Sequence, residues 1–465
     1  MIEKEFDLYE DVIGEKVDIN KLEIWDKKIV WHPFTQMAEY EKYKPLIIVK
    51  GEGNYLIDIN GKKYLDGVCS IWCNVHGHNV KELNEALYDQ ANKIAHSTLL
   101  GAANLPSILL AKALLDIAPK NLKHVFYSDN GSTAMEVALK MAYQYHKMKG
   151  DNNRYLFVKL SGAYHGDTIG SVSLGGVDLF HSLYKDLLFE TIKVPAPFPE
   201  SVFGDKKEAY ERSLEEIEKV FEKYADKIVA FVMEPLVQVA AGVITHPKGY
   251  LKKVRELCDK YNILLILDEV ATGFGKTGKY FACQIEDVKP DIMAVSKGLT
   301  AGYMPLAATL CTEEIYQAFY GGDYASGKTF FHGHTYTGNP LGCRVALENL
   351  RLFRKKGYPY TLKEKILFIE KRLKEELFDL EFVGDIRGIG FIWGIELVKD
   401  KKRKIPFTWK EDIGRKVSRK IIEKGVFTRP LGPILVFMPP LSITLDEIDF
   451  MVKVYKEAIL EVLKC

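Results

Sequence analysis

No run of residues in this 465-residue chain is apolar for long enough to cross a membrane. Nor is there an excess of one charge: 64 Lys and Arg stand against 63 Asp and Glu. That balance gives no reason to expect a nucleic-acid or anionic-membrane partner. The basic run Lys401-Lys402-Arg403-Lys404 is expected to be a solvated loop. No CxxC pair occurs, and the seven cysteines (Cys69, Cys73, Cys258, Cys283, Cys311, Cys343 and Cys465) are odd in number. A disulfide framework or a zinc site is therefore not expected, and a reducing compartment is. The opening MIEKEFDLYEDVIGEKVD is acidic and lacks the apolar core of a secretory signal. The expected location is the cytoplasm.

What is present looks globular. Hydrophobic residues make up 47% and charged residues 27%, in a length that suits two or three packed units. A polar, weakly helical extension is expected over 1–30. Short strands at 45–50 and 54–59, with an Asn60-Gly61 turn, begin a small domain over 31–79. From about residue 80, expected strands at 124–127, 154–159, 228–233, 263–267 and 292–295 are separated by helical stretches such as 105–117, 132–147 and 249–261. Apolar runs without alternation are strands buried on both faces. The fold class is therefore α/β, with a large domain over 80–340 around a mostly parallel central sheet. A smaller α+β domain is drawn from both chain ends, its second part over 341–465 with strands near 391–397 and 435–438.

Ligands of such sheets bind outside the carboxyl ends of the strands, and the unusual residues cluster there. ILLILDEVATGFGKTG puts Asp268 at the end of a buried strand, where a carboxylate needs a cationic partner. DIMAVSKGLTAG puts Lys297 just past the next strand, 29 residues on. That spacing is one strand–helix–strand unit, so both groups can share one sheet edge. Pyridoxal 5′-phosphate (PLP) chemistry needs this pair: an amine to condense with the cofactor aldehyde, and a carboxylate to keep its pyridine nitrogen protonated. In NGSTAMEVALKMA, Gly131, Ser132 and Thr133 fall where a strand gives way to a helix, so their N–H groups and hydroxyls suit a phosphate. The same segment also reads as a helix cap closed by Glu136. Tyr164, in LSGAYHGDTIG, is placed to lie on the cofactor or substrate, or to serve as an ordinary core tyrosine.

Other chemistries fit less well. GFGKTGKY matches Gly-x4-Gly-Lys of a phosphate-binding loop, but Tyr280 stands where the magnesium-binding hydroxyl belongs. His76-Gly77-His78 and His332-Gly333-His334 lack ligands at metal spacing. A regulatory PLP-binding protein would keep Asp268 without needing substrate residues.

The order GST, GAYHGDT, MEP, LDEVATGFG, SKG, HGHTYTGNP resembles the class III aminotransferases of PLP fold type I, from about residue 30 to the C-terminus. The segments WHPFTQM, DGVCSIWCNVHGH and TRPLGPILVFMPPL narrow the resemblance to members that aminate 8-amino-7-oxononanoate to 7,8-diaminononanoate in biotin biosynthesis. Other class III members of the ornithine or 4-aminobutyrate type are the alternative. The resemblance implies that Lys297 carries the cofactor and shuttles a proton, and that Asp268 binds the pyridine nitrogen. It implies that Gly131 and Ser132 hold the phosphate, helped by His334 and Thr335 of the partner in a homodimer with shared sites. Tyr164, Trp72, Phe34 and Gly333 would then line the substrate site, and Arg429 would bind the substrate carboxylate. Many members have Tyr where Phe34 stands, a second Trp where Ile71 stands, and Arg where Lys276 stands. These departures leave the amino donor open between S-adenosylmethionine and L-lysine.

Overall fold

The computed structural model describes residues 6, 9, 10, 12–199 and 201–464. A helix α1 (Ile19–Lys28) precedes a meander of β1 (Ile48–Glu52), β2 (Tyr55–Asp58) and β3 (Lys63–Asp66). Val426–Phe427 adds a parallel strand to β3, which ties this meander to the far end of the chain. The large sheet follows: β4 (Leu122–Ser128), β5 (Leu156–Leu160), β6 (Thr191–Val194), β7 (Ile228–Met233), β8 (Leu264–Asp268), β9 (Ile292–Val295) and β10 (Ala307–Thr312). Its spatial order is β4-β10-β9-β8-β7-β5-β6. A third, antiparallel sheet holds β11 (Val383–Ile389), β12 (Ile392–Asp400) and β13 (Ile434–Phe437).

The central strands are what their composition requires. All six residues of β7 and all four of β9 are buried, and such strands need cover on both faces. The long helix α2 (Gly131–Met148) lies on one face, where its Ala134, Val137, Ala138 and Met141 join the apolar cluster of β7, β8 and β9.

Two strands of the large sheet have no counterpart in the sequence analysis. β6 is short and carries charge, and β10 is built of small residues. β10 is also the exception to the parallel pattern, pairing antiparallel with both β9 and β4. Eleven residues separate β9 from β10, too few for the covered crossover that a parallel neighbour needs. The chain instead reverses through a tight turn, Lys297–Thr300, and that turn carries the lysine singled out above.

Candidate active site

One cavity of about 1650 Å³ opens at the carboxyl ends of the central strands. It exceeds the usual range for a small-molecule pocket, roughly 300–1,000 Å³, because an inner chamber continues into a wide vestibule.

The inner chamber is set by strand register. Asp268 ends β8 and pairs with Ala294 of β9, three residues before Lys297. Asp268 and Lys297 therefore stand side by side at one sheet edge. The side chain in hydrogen-bond contact with Asp268 is not that of Lys297, however. His165 Nδ1 lies 2.8 Å from Asp268 Oδ2, and the Val270 N–H donates to Oδ1 at 3.0 Å. The His165 ring is fully buried, and among the described residues its Nε2 has no hydrogen-bond partner. His165 holds the carboxylate in one orientation, facing the chamber.

Lys297 has φ 45°, in the left-handed region that a side chain rarely adopts. Among the described residues nothing forms a hydrogen bond or ion pair with its Nζ, which sits 4.5 Å from the centre of the Trp72 ring. Burial pushes the Lys297 amine below its ordinary pKa, and the charges of Asp268 and Glu234 pull the other way. Glu234 follows the apolar strand β7, and its carboxylate accepts from the N–H groups of Val239 and Tyr164. Burial, then the negative charge of Asp268, push Glu234 up to about 8.

The anion end is the start of α2. Asn130 caps this helix by accepting from Thr133 N at 3.0 Å, and Thr133 closes the capping box. This corrects two expectations. Glu136 lies three residues beyond the position that completes the box, and it binds Thr168 and the N–H groups of Gly170 and Ser171 instead. The Thr133 hydroxyl is spent on Asn130, so it offers nothing to a ligand. Gly131 and Ser132 line the cavity at the helix start, where N–H groups lack intrahelical partners. A Cβ on Gly131 would fall 2.7 Å from Val270 Cγ1, and one on Gly166 would fall 1.9 Å from Ser132 Oγ. Only glycines let these three segments meet so closely.

Tyr164 lines the chamber and donates its hydroxyl to Asp167 at 2.7 Å. Trp72 comes from a turn, Cys69–Trp72, in which all four residues have positive φ. Each such residue costs roughly 1–2 kcal/mol, so the turn needs external anchors. Asp66 accepts from the Ser70 N–H and hydroxyl, and Lys276 Nζ reaches Cys69 Sγ at 2.8 Å and Asn74 O at 3.0 Å. Lys276 is 1% exposed and is absent from the cavity wall. Its departure from arginine therefore bears on the turn under Trp72, not on the donor.

The vestibule is more open. Arg429 Cζ lies 5.8 Å from the Phe34 ring, which meets Phe180 edge-on at 5.3 Å. Among the described residues no carboxylate pairs with Arg429. Burial and the neighbouring Arg415 push its pKa down, so an incoming carboxylate would relieve both effects. Phe34 and Ile71 also line this space.

Gly333, His334 and Thr335 do not line the cavity of their own chain. His334 Nδ1 lies 2.7 Å from Asp129 Oδ2, while Gly333 and Thr335 are exposed. Sequence reasoning assigned no role to His165, Glu234 or Asp167. Glu234 did carry a signal: an acid directly after a wholly apolar strand.

Comparison with known proteins places this arrangement. The aminotransferase class-III family model matches residues 36–459. An adenosylmethionine-8-amino-7-oxononanoate aminotransferase of Geobacter sulfurreducens is 52% identical over 94% of this chain and 96% of its own length. One of the same name from Aquifex aeolicus is 50% identical over 97% and 99%. The crystal structure of the Methanocaldococcus jannaschii protein of that name superposes with a TM-score of 0.91 at 49% identity, covering 96% of this chain and 99% of that one. An omega transaminase of Pseudomonas jessenii, solved in complex with PMP, superposes at 0.89 with 30% identity over 95% and 98%.

Proposed function

The chain belongs to the class III aminotransferases, and from that premise we propose that it uses PLP to aminate 8-amino-7-oxononanoate to 7,8-diaminononanoate, with S-adenosylmethionine as donor. The donor follows the name of the relatives. L-lysine is the competing donor, because Phe34 and Ile71 alter the wall that a donor meets.

The observation that carries the cofactor reading is the unpaired Lys297 Nζ in a chamber with the Asp268–His165 pair and the first turn of α2. These parts match an aldehyde, a pyridine nitrogen and a phosphate. When bound, PLP supplies an aldehyde for amines and a protonated ring that accepts electrons as a neighbouring C–H bond breaks. Lys297 would hold the aldehyde through its Nζ. Burial pushes the Nζ pKa down, which favours the neutral amine that could take a proton from the donor carbon. Asp268, oriented by His165, would keep the ring nitrogen charged. The N–H groups of Gly131 and Ser132 and the Ser132 hydroxyl would hold the phosphate. Tyr164 and Trp72 would wall the chamber against water, and Arg429 would receive the carboxylate of the oxononanoate.

The exposed Gly333 and Thr335 and the half-buried His334 serve the second copy of a homodimer, with His334 and Thr335 reaching its phosphate and Gly333 its substrate. We place the enzyme in the cytoplasm and divide the chain at 30, 79 and 340.

A donor panel tests this reading. S-adenosylmethionine is expected to bleach the visible band of the holoenzyme, and the aminated enzyme is expected to convert 8-amino-7-oxononanoate to the diamine. Bleaching by L-lysine alone would reassign the donor. Turnover of ornithine or 4-aminobutyrate with 2-oxoglutarate, and none with the oxononanoate, would overturn the substrate.

A further inference from the structure

The His76-Gly77-His78 motif has no part in the chemistry above, yet His76 is 5% exposed and lies at the centre of a buried polar chain. His76 Nε2 is 2.9 Å from Asn349 Oδ1. Asn349, on the helix Pro340–Lys356, is fully buried, and its Nδ2 donates to Gly298 O and Leu299 O, each at 2.8 Å. On the other side Lys356 Nζ lies 3.4 Å from His76 Nδ1.

The direction of every bond in this chain is determined. Two carbonyl oxygens can only accept, so both N–H bonds of the Asn349 amide point at them. Its Oδ1 is then left to accept, and His76 Nε2 must carry the hydrogen. His76 Nδ1 is thus the bare nitrogen, and it faces an ammonium that can only donate. Flipping the Asn349 amide would set its oxygen against two carbonyls, and moving the His76 proton to Nδ1 would set it against Lys356. The ring cannot easily turn either, since it stacks on Tyr358 at 5.9 Å and meets Phe353 edge-on at 5.4 Å. Burial and the Lys356 charge push His76 down to about 3, so this neutral form persists at neutral pH.

Gly298 and Leu299 are the two residues directly after Lys297. Lys297 Nζ has no hydrogen-bond partner of its own among the described residues, so the backbone of the turn and the Trp72 ring decide where the amine rests. That backbone is strained at Lys297 and again at Ala301, both with positive φ.

We propose that Asn349, oriented by His76, is a positioning residue that fixes the Lys297 turn and so the place to which the amine returns after each half-reaction. The catalytic part of this rests on the cofactor reading above; the clamp itself does not. His76 also ties the segment that carries Trp72 to the turn that carries Lys297, so the two walls of the chamber move as one.

The test compares His76→Gln, which keeps a donor near the Nε2 position, with His76→Leu and Asn349→Leu, which do not. Hydrogen exchange of the 297–301 backbone is measured on each folded holoenzyme, along with kcat, KM for the donor and the pH titration of the visible band. The two Leu variants should exchange at least about 10-fold faster over 297–301, as a lost buried hydrogen bond implies. They should lose about 10-fold or more in kcat with little change in KM, as misplacement of a reacting group implies, and the band titration should shift. His76→Gln should stay within about twofold of wild type in exchange, kcat and KM and keep the wild-type titration, because it restores the bond. The proposal is overturned if His76→Leu leaves exchange and the titration unchanged. It is equally overturned if His76→Gln falls as far as His76→Leu, which would show that the ring matters only for packing. A wild-type protein without a visible band, but with the same exchange pattern, would overturn the cofactor reading and leave the clamp standing.

Discussion

The inner chamber and the vestibule of the cavity are built in opposite ways. Around Lys297, carboxylates and turns are cross-linked: His165 holds Asp268, backbone N–H groups hold Glu234, and Asp66 and Lys276 hold the turn under Trp72. Around Arg429 the contacts are rings meeting edge-on and a guanidinium with no carboxylate among the described residues, and Phe34 is half exposed. The contrast separates two tasks. Transfer of an amine needs groups fixed before substrate arrives. Choice of substrate is made by side chains still free to be completed by it.

Substitutions should therefore hurt chemistry in the chamber and selectivity in the vestibule. Lys297→Ala is expected to lower kcat by at least about 10³-fold, because both the amine and the proton carrier go. Single-turnover bleaching of the cofactor band measures this. Arg429→Ala should leave the donor half-reaction intact and cost the oxononanoate half-reaction roughly 10- to 100-fold in kcat/KM, the worth of a charge-assisted pair. An equal loss in both halves would erase the distinction between the two regions.

The pH response sharpens it further. Glu234 has a pKa of about 8 in the fold, above its ordinary carboxylic value. Its contribution to stability is complete below pH about 4.5 and is lost as pH rises through about 8. Glu234→Gln should therefore gain on wild type in Tm between pH 5 and 9, by about 2 °C or more. A gap that stays constant with pH would show that Glu234 is ionised throughout. The smallest effect is expected at Phe34→Tyr, a few-fold change in the ratio of S-adenosylmethionine to L-lysine use, since one added hydroxyl in an open site is worth about 1 kcal/mol.

The same division governs what could be read in the sequence. Asp268 and Lys297 were legible because each breaks an apolar strand pattern and their spacing is one structural unit. The α2 start was legible from Gly131-Ser132-Thr133, although the cap at Asn130 was not and the capping partner was misassigned to Glu136. What was hidden is held by contacts remote in sequence. Nothing near His165 announces that it meets Asp268, 103 residues away, and nothing near Lys276 announces the turn at Cys69. The antiparallel strand β10 was hidden because its small residues carry neither a helical nor a strand period. Arg429 and Phe34 reached the site only through the family resemblance, since an exposed arginine or phenylalanine has no local signature of its own.

The central claim is that Lys297 is the one amine prepared to hold the cofactor. Borohydride reduction of the holoenzyme, followed by peptide mapping, tests it most directly. The account predicts a single phosphopyridoxyl peptide containing Lys297, and none in Lys297→Ala. A label on another lysine, Lys276 or Lys159 included, would contradict it.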